Sequence, residues 1–359
     1  MDNQNVMLMK GNEAIAHAAI RYGYDGFFGY PITPQSEILE TLAAEKPWET
    51  TGMVVLQSES ELASINMIYA GGSTGKLVFT SSSSPGIALM QEGISYMAAC
   101  EIPGVIVSVQ RGGPGLGTIQ PSQSDYFQAV YGGGNGDYHV IVIAPNSVQE
   151  MADDMGLAAE LAFKWRMPVM VLSDGVIGQM MEKVVLPPFK ARRTEEQIAA
   201  QCPWAINGLG LKKRRSNFMS SLELDASEME SRNRNMMAKY NRVVEEEIRY
   251  EEVMLDDAEV AIVAYGSGAR VAMGAIEQLR SEGIKAGLLR PITLWPFPEK
   301  RIKALAAQVK NIVTVEFNEG QMVRDVRYSA EGQCPVSFFG HSGGVIADPS
   351  EVVAFVKSL

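Results

Sequence analysis

Two carboxylates one residue apart, Glu59 and Glu61, stand where an apolar run at 53–56 meets the small-residue segment ELASINMIYAGG. Their spacing gives them different tasks. Ser58 followed three residues later by Glu61 has the form of a capping box, in which each side chain covers an orphan backbone N–H at a helix start. Glu61 then has a structural role. Glu59 falls at the first helical position, where capping does not require it. A carboxylate left free at the carboxyl end of a strand stands where α/β proteins bind ligands. Glu59 is therefore the candidate for proton transfer, with Glu61 the runner-up.

Two further residues sit at similar boundaries. The buried run Gly26-Phe27-Phe28-Gly29-Tyr30 ends in Pro31-Ile32-Thr33-Pro34. Each proline moves the residue before it out of the α region, so Thr33 is held extended at a strand end. Its hydroxyl can cap the helix that follows, with Pro34 at the first helical position; ligand contact is compatible with that. The apolar run at 104–109 ends in Gln110-Arg111 and a glycine-rich loop. An arginine in a loop is often solvated, but one ending a buried strand presents a planar fork that matches a carboxylate. If these strands lie parallel in one sheet, a hydroxyl, a carboxylate and a guanidinium share an edge. That trio suits a small anionic substrate beside a cofactor with a protonatable nitrogen.

The elements needed to bring them together are legible. Helical patterns at 14–22, 35–45, 87–100 and 148–166 alternate with apolar runs at 26–30, 53–56, 104–109, 140–144 and 169–173. Ser147 with Glu150 reads as a second capping box. The alternation predicts an α/β fold with a doubly wound parallel sheet over residues 1–189. Pro187-Pro188 breaks it. Residues 190–255 read as a linker or an arm over a partner at 190–225, followed by one amphipathic helix at 226–254. Its stripe is Met229, Met236, Tyr240, Val243, Val244 and Ile248, and Glu245-Glu246-Glu247 reads as its solvated face. A smaller parallel α/β domain occupies 256–359. It carries Gly266-Ser267-Gly268, a weak nucleotide signal that lacks the third glycine and the acidic partner. The long loop from Gly112 to Gly134 reads as functional or disordered.

Composition excludes several classes. The 359 residues are 46% hydrophobic with a formal net charge of −11, so nucleic acid is an unfavoured partner; Lys212-Lys213-Arg214-Arg215 is too short to change that. Cys100, Cys202 and Cys334 form no CxxC, so no zinc site, iron–sulfur cluster or other metal site is expected in this chain. His17, His139 and His341 are scattered. The amino terminus has no apolar leader and no run is long enough to cross a membrane, so a cytoplasmic protein is expected. P-loop, GxSxG and HExxH motifs are absent.

The motifs YPITP, QSESELASINMIYAGG, SSPG, SVQRGGP and RPITLWPFP, in this order, closely resemble the α subunit of 2-oxoacid:ferredoxin oxidoreductases over nearly the whole chain. The resemblance is to the branched-chain (2-oxoisovalerate) class, with the 2-oxoglutarate class close behind. It implies thiamine diphosphate at a site shared between subunits. This chain would supply a pyrimidine-binding domain and a transketolase-C-terminal-like domain. A β subunit would hold the diphosphate and Mg²⁺; no GDG with a spaced Asn is found here. It further implies γ and ferredoxin-like δ subunits carrying iron–sulfur clusters, coenzyme A as acyl acceptor, ferredoxin as electron acceptor, and a dimer of hetero-oligomers. Carried over by position, Glu59 resembles the glutamate that bonds the pyrimidine ring nitrogen. Thr33 and Arg111 resemble substrate-carboxylate ligands, and Pro31, Ile32 and Ser84 resemble cofactor contacts. SSSSPG departs from the pattern, since many relatives have glycine before the proline. A transketolase or 2-oxoacid dehydrogenase E1-type subunit and a non-catalytic scaffold subunit are the alternatives.

Overall fold

The computed structural model describes residues 6–206 and 217–359. The basic run at 212–215 lies outside the described residues. A seven-stranded sheet runs in the order Thr293–Trp295, Ile141–Ile143, Pro168–Asp174, Gly104–Gln110, Val78–Ser82, Gly26–Gly29, Val54–Gln57. Every pairing is parallel except that of the Thr293–Trp295 edge strand. The two central strands, GVIVSVQ and PVMVLSD, are buried at every residue because helices cover both faces. Gly104 pairs with Pro168 and Gln110 with Asp174, so these strands end level. Gly29 pairs with Gln57, which levels the other end of the edge.

A five-stranded sheet forms the second domain, in the order Val336–Gly340, Asn311–Glu316, Val260–Ala264, Ala286–Pro291, Tyr250–Val253. Part of its core, around Ile262, Leu288 and Val313, is a separate cluster. The sheets exchange strands with the flanking sequence. Thr293–Trp295 joins the first sheet, where Trp295 stacks on His139 at 4.4 Å and meets Tyr240 edge-on.

The amphipathic helix is shorter than its pattern, ending at Glu246. Glu247 is not part of a solvated face. It is 2% exposed and accepts from Lys164 Nζ at 2.6 Å, Trp165 Nε1 at 2.8 Å and Arg249 Nη1 at 2.8 Å. Three donors converging on one carboxylate fix the chain there, and it continues as strand Tyr250–Val253. Of the stripe, Tyr240 and Val243 are buried. Residues 190–206 lie on this chain's own first domain. Arg192 donates to Thr51 O at 2.8 Å and pairs with Asp25 at 3.5 Å, and Arg193 reaches Gly75 O at 2.7 Å.

Candidate active site at the carboxyl edge of the first sheet

The acidic turn follows strand Val54–Gln57, and its capping differs from the sequence expectation. Ser60, not Ser58, is the N-cap: its Oγ accepts from Ala63 N at 3.2 Å, and the helix is Glu61–Ser73. Ser58 is buried instead, bonded to Ser64 Oγ and donating to Ser60 O at 3.1 Å. Either serine can cap a helix at this turn, although only Ser58 has a glutamate three residues on and Ser60 has Ala63 there. Burial of Ser58 against the helix decides between them. Glu61 becomes the first helical residue, where a carboxylate meets the positive helix end, and is 7% exposed. It lies against Gly86, where an added Cβ would sit 2.7 Å from Glu61 Oε1 and 2.0 Å from Ser82 Oγ. Glu59, just before the cap, is exposed and takes a 3.3 Å bond from Ser60 Oγ.

Thr33 does not cap the next helix, which is Ser36–Glu45 with Gln35 at the N-cap. Side chains from other elements hold the turn instead. Asn12 Nδ2 donates to Pro34 O at 2.6 Å and Gln179 Nε2 to the same oxygen at 3.0 Å. Gln35 donates to Tyr30 O at 3.1 Å and accepts from Ser81 Oγ at 2.6 Å. With these carbonyls satisfied, Pro31 and Thr33 remain exposed and Ile32 half-buried.

Arg111 projects from strand Gly104–Gln110 toward that turn. Nη1 donates to Thr33 O at 2.9 Å and Nη2 to Leu116 O at 3.1 Å. A guanidinium has five N–H donors; the side chain is 7% exposed overall and its Nε is buried with no acceptor among the described residues. Native structures rarely leave such a donor unpaired. The structure thus joins Arg111 to Thr33 directly.

Ser84 opens helix Ser84–Ala99, and its hydroxyl faces inward. It bonds the Asp125 carboxylate, lies 3.1 Å from Arg111 O, and accepts from Arg111 N at 3.1 Å. The sequence did not single out Asp125, because an acid in a polar loop looks solvated. Burial, opposed by the Ser84 bond and by Arg111, raises its pKa to about 6. Ser82 Oγ and Ser83 Oγ, also at this edge, are buried without a partner among the described residues.

The far end of the loop is fixed by the second domain. Gln123 donates to Tyr265 O at 2.8 Å, accepts from Phe317 N at 3.2 Å, and its carbonyl accepts from Asn318 Nδ2 at 2.8 Å. The Gly266-Ser267-Gly268 turn also has an occupant from within the chain. Asp174 Oδ2 accepts from Ser267 N at 3.0 Å and Ser267 Oγ at 2.7 Å, while Oδ1 takes Val176 N and Ile177 N.

An acceptor facing solvent at Glu59, serine hydroxyls without a partner among the described residues at the same sheet edge and an unsatisfied arginine donor fit the pyrimidine half of thiamine diphosphate with an anionic substrate next to it. Residues 17–249 match the family model described as pyruvate flavodoxin/ferredoxin oxidoreductase, thiamine diphosphate-binding. Residues 258–352 match pyruvate:ferredoxin oxidoreductase core domain II. Ketoisovalerate oxidoreductase subunit VorB of Methanothermobacter thermautotrophicus is 45% identical, over 98% of this chain and 97% of that one. The 2-oxoglutarate synthase subunit KorA of Archaeoglobus fulgidus is 36% identical, over 98% of each. A solved 2-oxoglutarate:ferredoxin oxidoreductase from Magnetococcus marinus, with 2-oxoglutarate, coenzyme A and succinyl-CoA bound, superposes with a TM-score of 0.85 at 28% identity. It covers 100% of this chain and 66% of that one. The chain belongs to the family of 2-oxoacid:ferredoxin oxidoreductase subunits, which sets aside the dehydrogenase-type alternative. No helix among the described residues is long and apolar enough to cross a membrane.

Proposed function

We propose that this chain is the α subunit of a 2-oxoacid:ferredoxin oxidoreductase that oxidatively decarboxylates a branched-chain 2-oxoacid, 2-oxoisovalerate, to its acyl-CoA. The higher identity to the ketoisovalerate subunit than to the 2-oxoglutarate subunit favours that substrate class. The partners in this reading are a β subunit holding the diphosphate and Mg²⁺, γ and ferredoxin-like δ subunits with iron–sulfur clusters, and ferredoxin. Two such hetero-oligomers pair, in the cytoplasm.

When bound, thiamine diphosphate supplies the nucleophile that adds to a 2-oxo group and the sink for the electron pair left as CO₂ departs. The residues of this chain prepare that chemistry. Glu59 would hold a proton against the pyrimidine ring nitrogen. Pro31 and Ile32 would line the ring, and Ser84 fixes the helix end beside it. Thr33 would donate its hydroxyl to the substrate carboxylate. Arg111 would neutralise that carboxylate with the N–H groups its carbonyl partners leave open. The observation that carries the reading is the exposed Glu59 on the same sheet edge as Arg111 and its unpaired Nε.

The test is to co-purify the complex and measure ferredoxin reduction with a panel of 2-oxoacids. 2-Oxoisovalerate should be fastest, and this chain alone should give no turnover. A faster rate with 2-oxoglutarate would overturn the substrate class. Turnover by the isolated chain would overturn the shared site.

A further inference from the structure

The loop that follows Arg111 is tied down at both ends, and the near tie converges on one hydroxyl. Arg111 pairs with Pro121 in an isolated bridge, Gly112 N donates to Gln120 O at 3.0 Å, and Thr118 N donates to Gly112 O at 2.8 Å. The loop therefore doubles back, which brings Leu116 O under the guanidinium. The backbone of Arg111 itself hangs on Ser84 Oγ, which accepts from its N–H and lies 3.1 Å from its C=O, while the one hydroxyl proton is shared out to Asp125. Ser84 Oγ is oriented by Asp125, and Asp125 is placed by its own N–H, which donates to Gln110 Oε1 at 3.0 Å. Gln110 in turn donates to Ser173 O at 3.2 Å. A chain of bonds thus runs from the central strands through Asp125 and Ser84 to the peptide that carries Arg111.

We propose that Asp125 is a positioning residue, which through Ser84 Oγ sets the Arg111 guanidinium against Thr33 and so sets the affinity for the 2-oxoacid carboxylate. This rests on the reading of Arg111 as the substrate clamp. A buried carboxylate that accepts from one hydroxyl forms a shorter and stronger bond than a neutral acceptor does. Its strength depends on the carboxylate being ionised. The charged or titratable groups facing Asp125 are Arg111, from the end of its strand, and Tyr265, from the second domain; burial holds the Tyr265 phenol neutral. The amino end of helix Ser84–Ala99 adds a positive field of its own. With its pKa raised to about 6, Asp125 is ionised at neutral pH and takes a proton in mild acid. Protonation weakens the hold on Ser84.

The experiment uses the assembled complex and steady-state ferredoxin reduction against 2-oxoacid concentration, from pH 5.5 to 8. Asp125→Ala should raise KM for the 2-oxoacid about ten-fold, the scale of one lost hydrogen bond to a charged group, with kcat within about two-fold of wild type; Ser84→Ala should raise KM by a similar factor, whatever it does to kcat. Asp125→Asn keeps an acceptor of the same shape and stands in should the alanine variant fail to fold. It should flatten the rise in KM that the wild type shows below about pH 6. Unchanged KM in Ser84→Ala and a retained pH inflection in Asp125→Asn would overturn the proposal. Parallel loss of kcat, KM and thermal stability in Asp125→Ala would show a merely structural residue and overturn it as well. Arg111→Ala in the same series separates the two layers. If it leaves KM unchanged, the reading of Arg111 fails; if it raises KM while Ser84→Ala and Asp125→Asn behave as wild type, only the positioning role fails.

Discussion

Replacing Glu59 with glutamine separates proton transfer from folding, because the structure asks so little of Glu59 as a support. The side chain is exposed, and its bond from Ser60 Oγ is 3.3 Å long. Glutamine has the same length and still accepts it. An exposed change of this kind alters stability by about 0.5 kcal/mol or less, which moves Tm by about 1–2 °C in a chain of this size. The amide cannot hold the proton, so the acid–base contribution of roughly 10²–10⁴-fold is lost. That is about 3–5 kcal/mol of barrier. The assay is 2-oxoacid-dependent ferredoxin reduction by the assembled complex at saturating thiamine diphosphate, with thermal unfolding of the same preparation. Glu61→Gln is the companion. Glu61 is 7% exposed and packed at Gly86, so its substitution should register in Tm before it registers in turnover. A Glu59→Gln complex that keeps more than about a hundredth of the wild-type rate refutes the reasoning, taking the lower bound of that acid–base range as the guide. Loss of turnover in Glu61→Gln at unchanged Tm would move the role to Glu61.

Arg111→Ala should weaken 2-oxoacid binding more than thiamine diphosphate binding, read as KM beside cofactor calorimetry; equal losses would mean that Arg111 only supports the fold. Gly86→Ala would push a Cβ to 2.0 Å from Ser82 Oγ and 2.9 Å from Glu61 Cγ, and such overpacking should destabilise by about 1–3 kcal/mol in denaturant titration; a neutral result would mean that this corner relaxes freely. Asp154 is buried with no partner for Oδ2 among the described residues, and burial, then Glu150, holds its pKa well above the usual carboxylate range. The folded state then binds more protons than the unfolded one above pH 4, so this group's effect on stability grows less favourable as pH rises. Asp154→Asn should therefore raise Tm at pH 7.5 and change it little near pH 4, and the opposite order would refute the sign.

Strand ends were readable because a run such as Gly104–Val109 has no other use than a strand covered on both faces, and because β and α alternate. Thr33, Glu59 and Arg111 were found as punctuation on those runs. The details that failed share a cause. Ser58 offers a capping box with Glu61 and Ser60 only a one-way cap onto Ala63 N, yet packing of Ser58 on Ser64 hands the cap to Ser60. Glu150 looked like the reciprocal half of a capping box. Its carboxylate instead accepts from Asn146 N and clamps Arg290 with two 2.8 Å bonds, a partner 140 residues away. Glu247 looked solvated beside two other glutamates until Lys164, Trp165 and Arg249 closed on it. A short-range pattern names the donor or acceptor correctly; long-range packing chooses its partner.

The same principle explains why the chemistry falls on one sheet edge and not on two. In an open parallel sheet the carboxyl ends of the strands are where ligands bind, and the second domain has such an edge, with a glycine-rich turn on it. That edge is already filled. Asp174 of the first domain supplies the anion that the helix start at Gly266 would otherwise attract. Gln123 satisfies Tyr265 O and Phe317 N at the ends of the two neighbouring strands. Glu316 takes the backbone N–H groups of Met322 and Val323 at 2.7 and 2.9 Å. These polar groups, which a ligand could otherwise use, are engaged by this chain. The first sheet's edge is the opposite case, with Glu59 exposed and with Arg111 Nε and the hydroxyls of Ser82 and Ser83 unpaired among the described residues. The second domain therefore acts as a wall behind the loop that follows Arg111: it holds Gln123 from one side while Ser84 and Asp125 hold Arg111 from the other. Cutting the wall contact with Asp174→Ala leaves four donors without an acceptor in a buried place. At about 1–3 kcal/mol for each unsatisfied group, with partial relief from water, the loss should be several kcal/mol. It should appear in hydrogen exchange at 112–125 as well as in Tm. Protection of that loop unchanged from wild type would mean that the loop is held by the first domain alone.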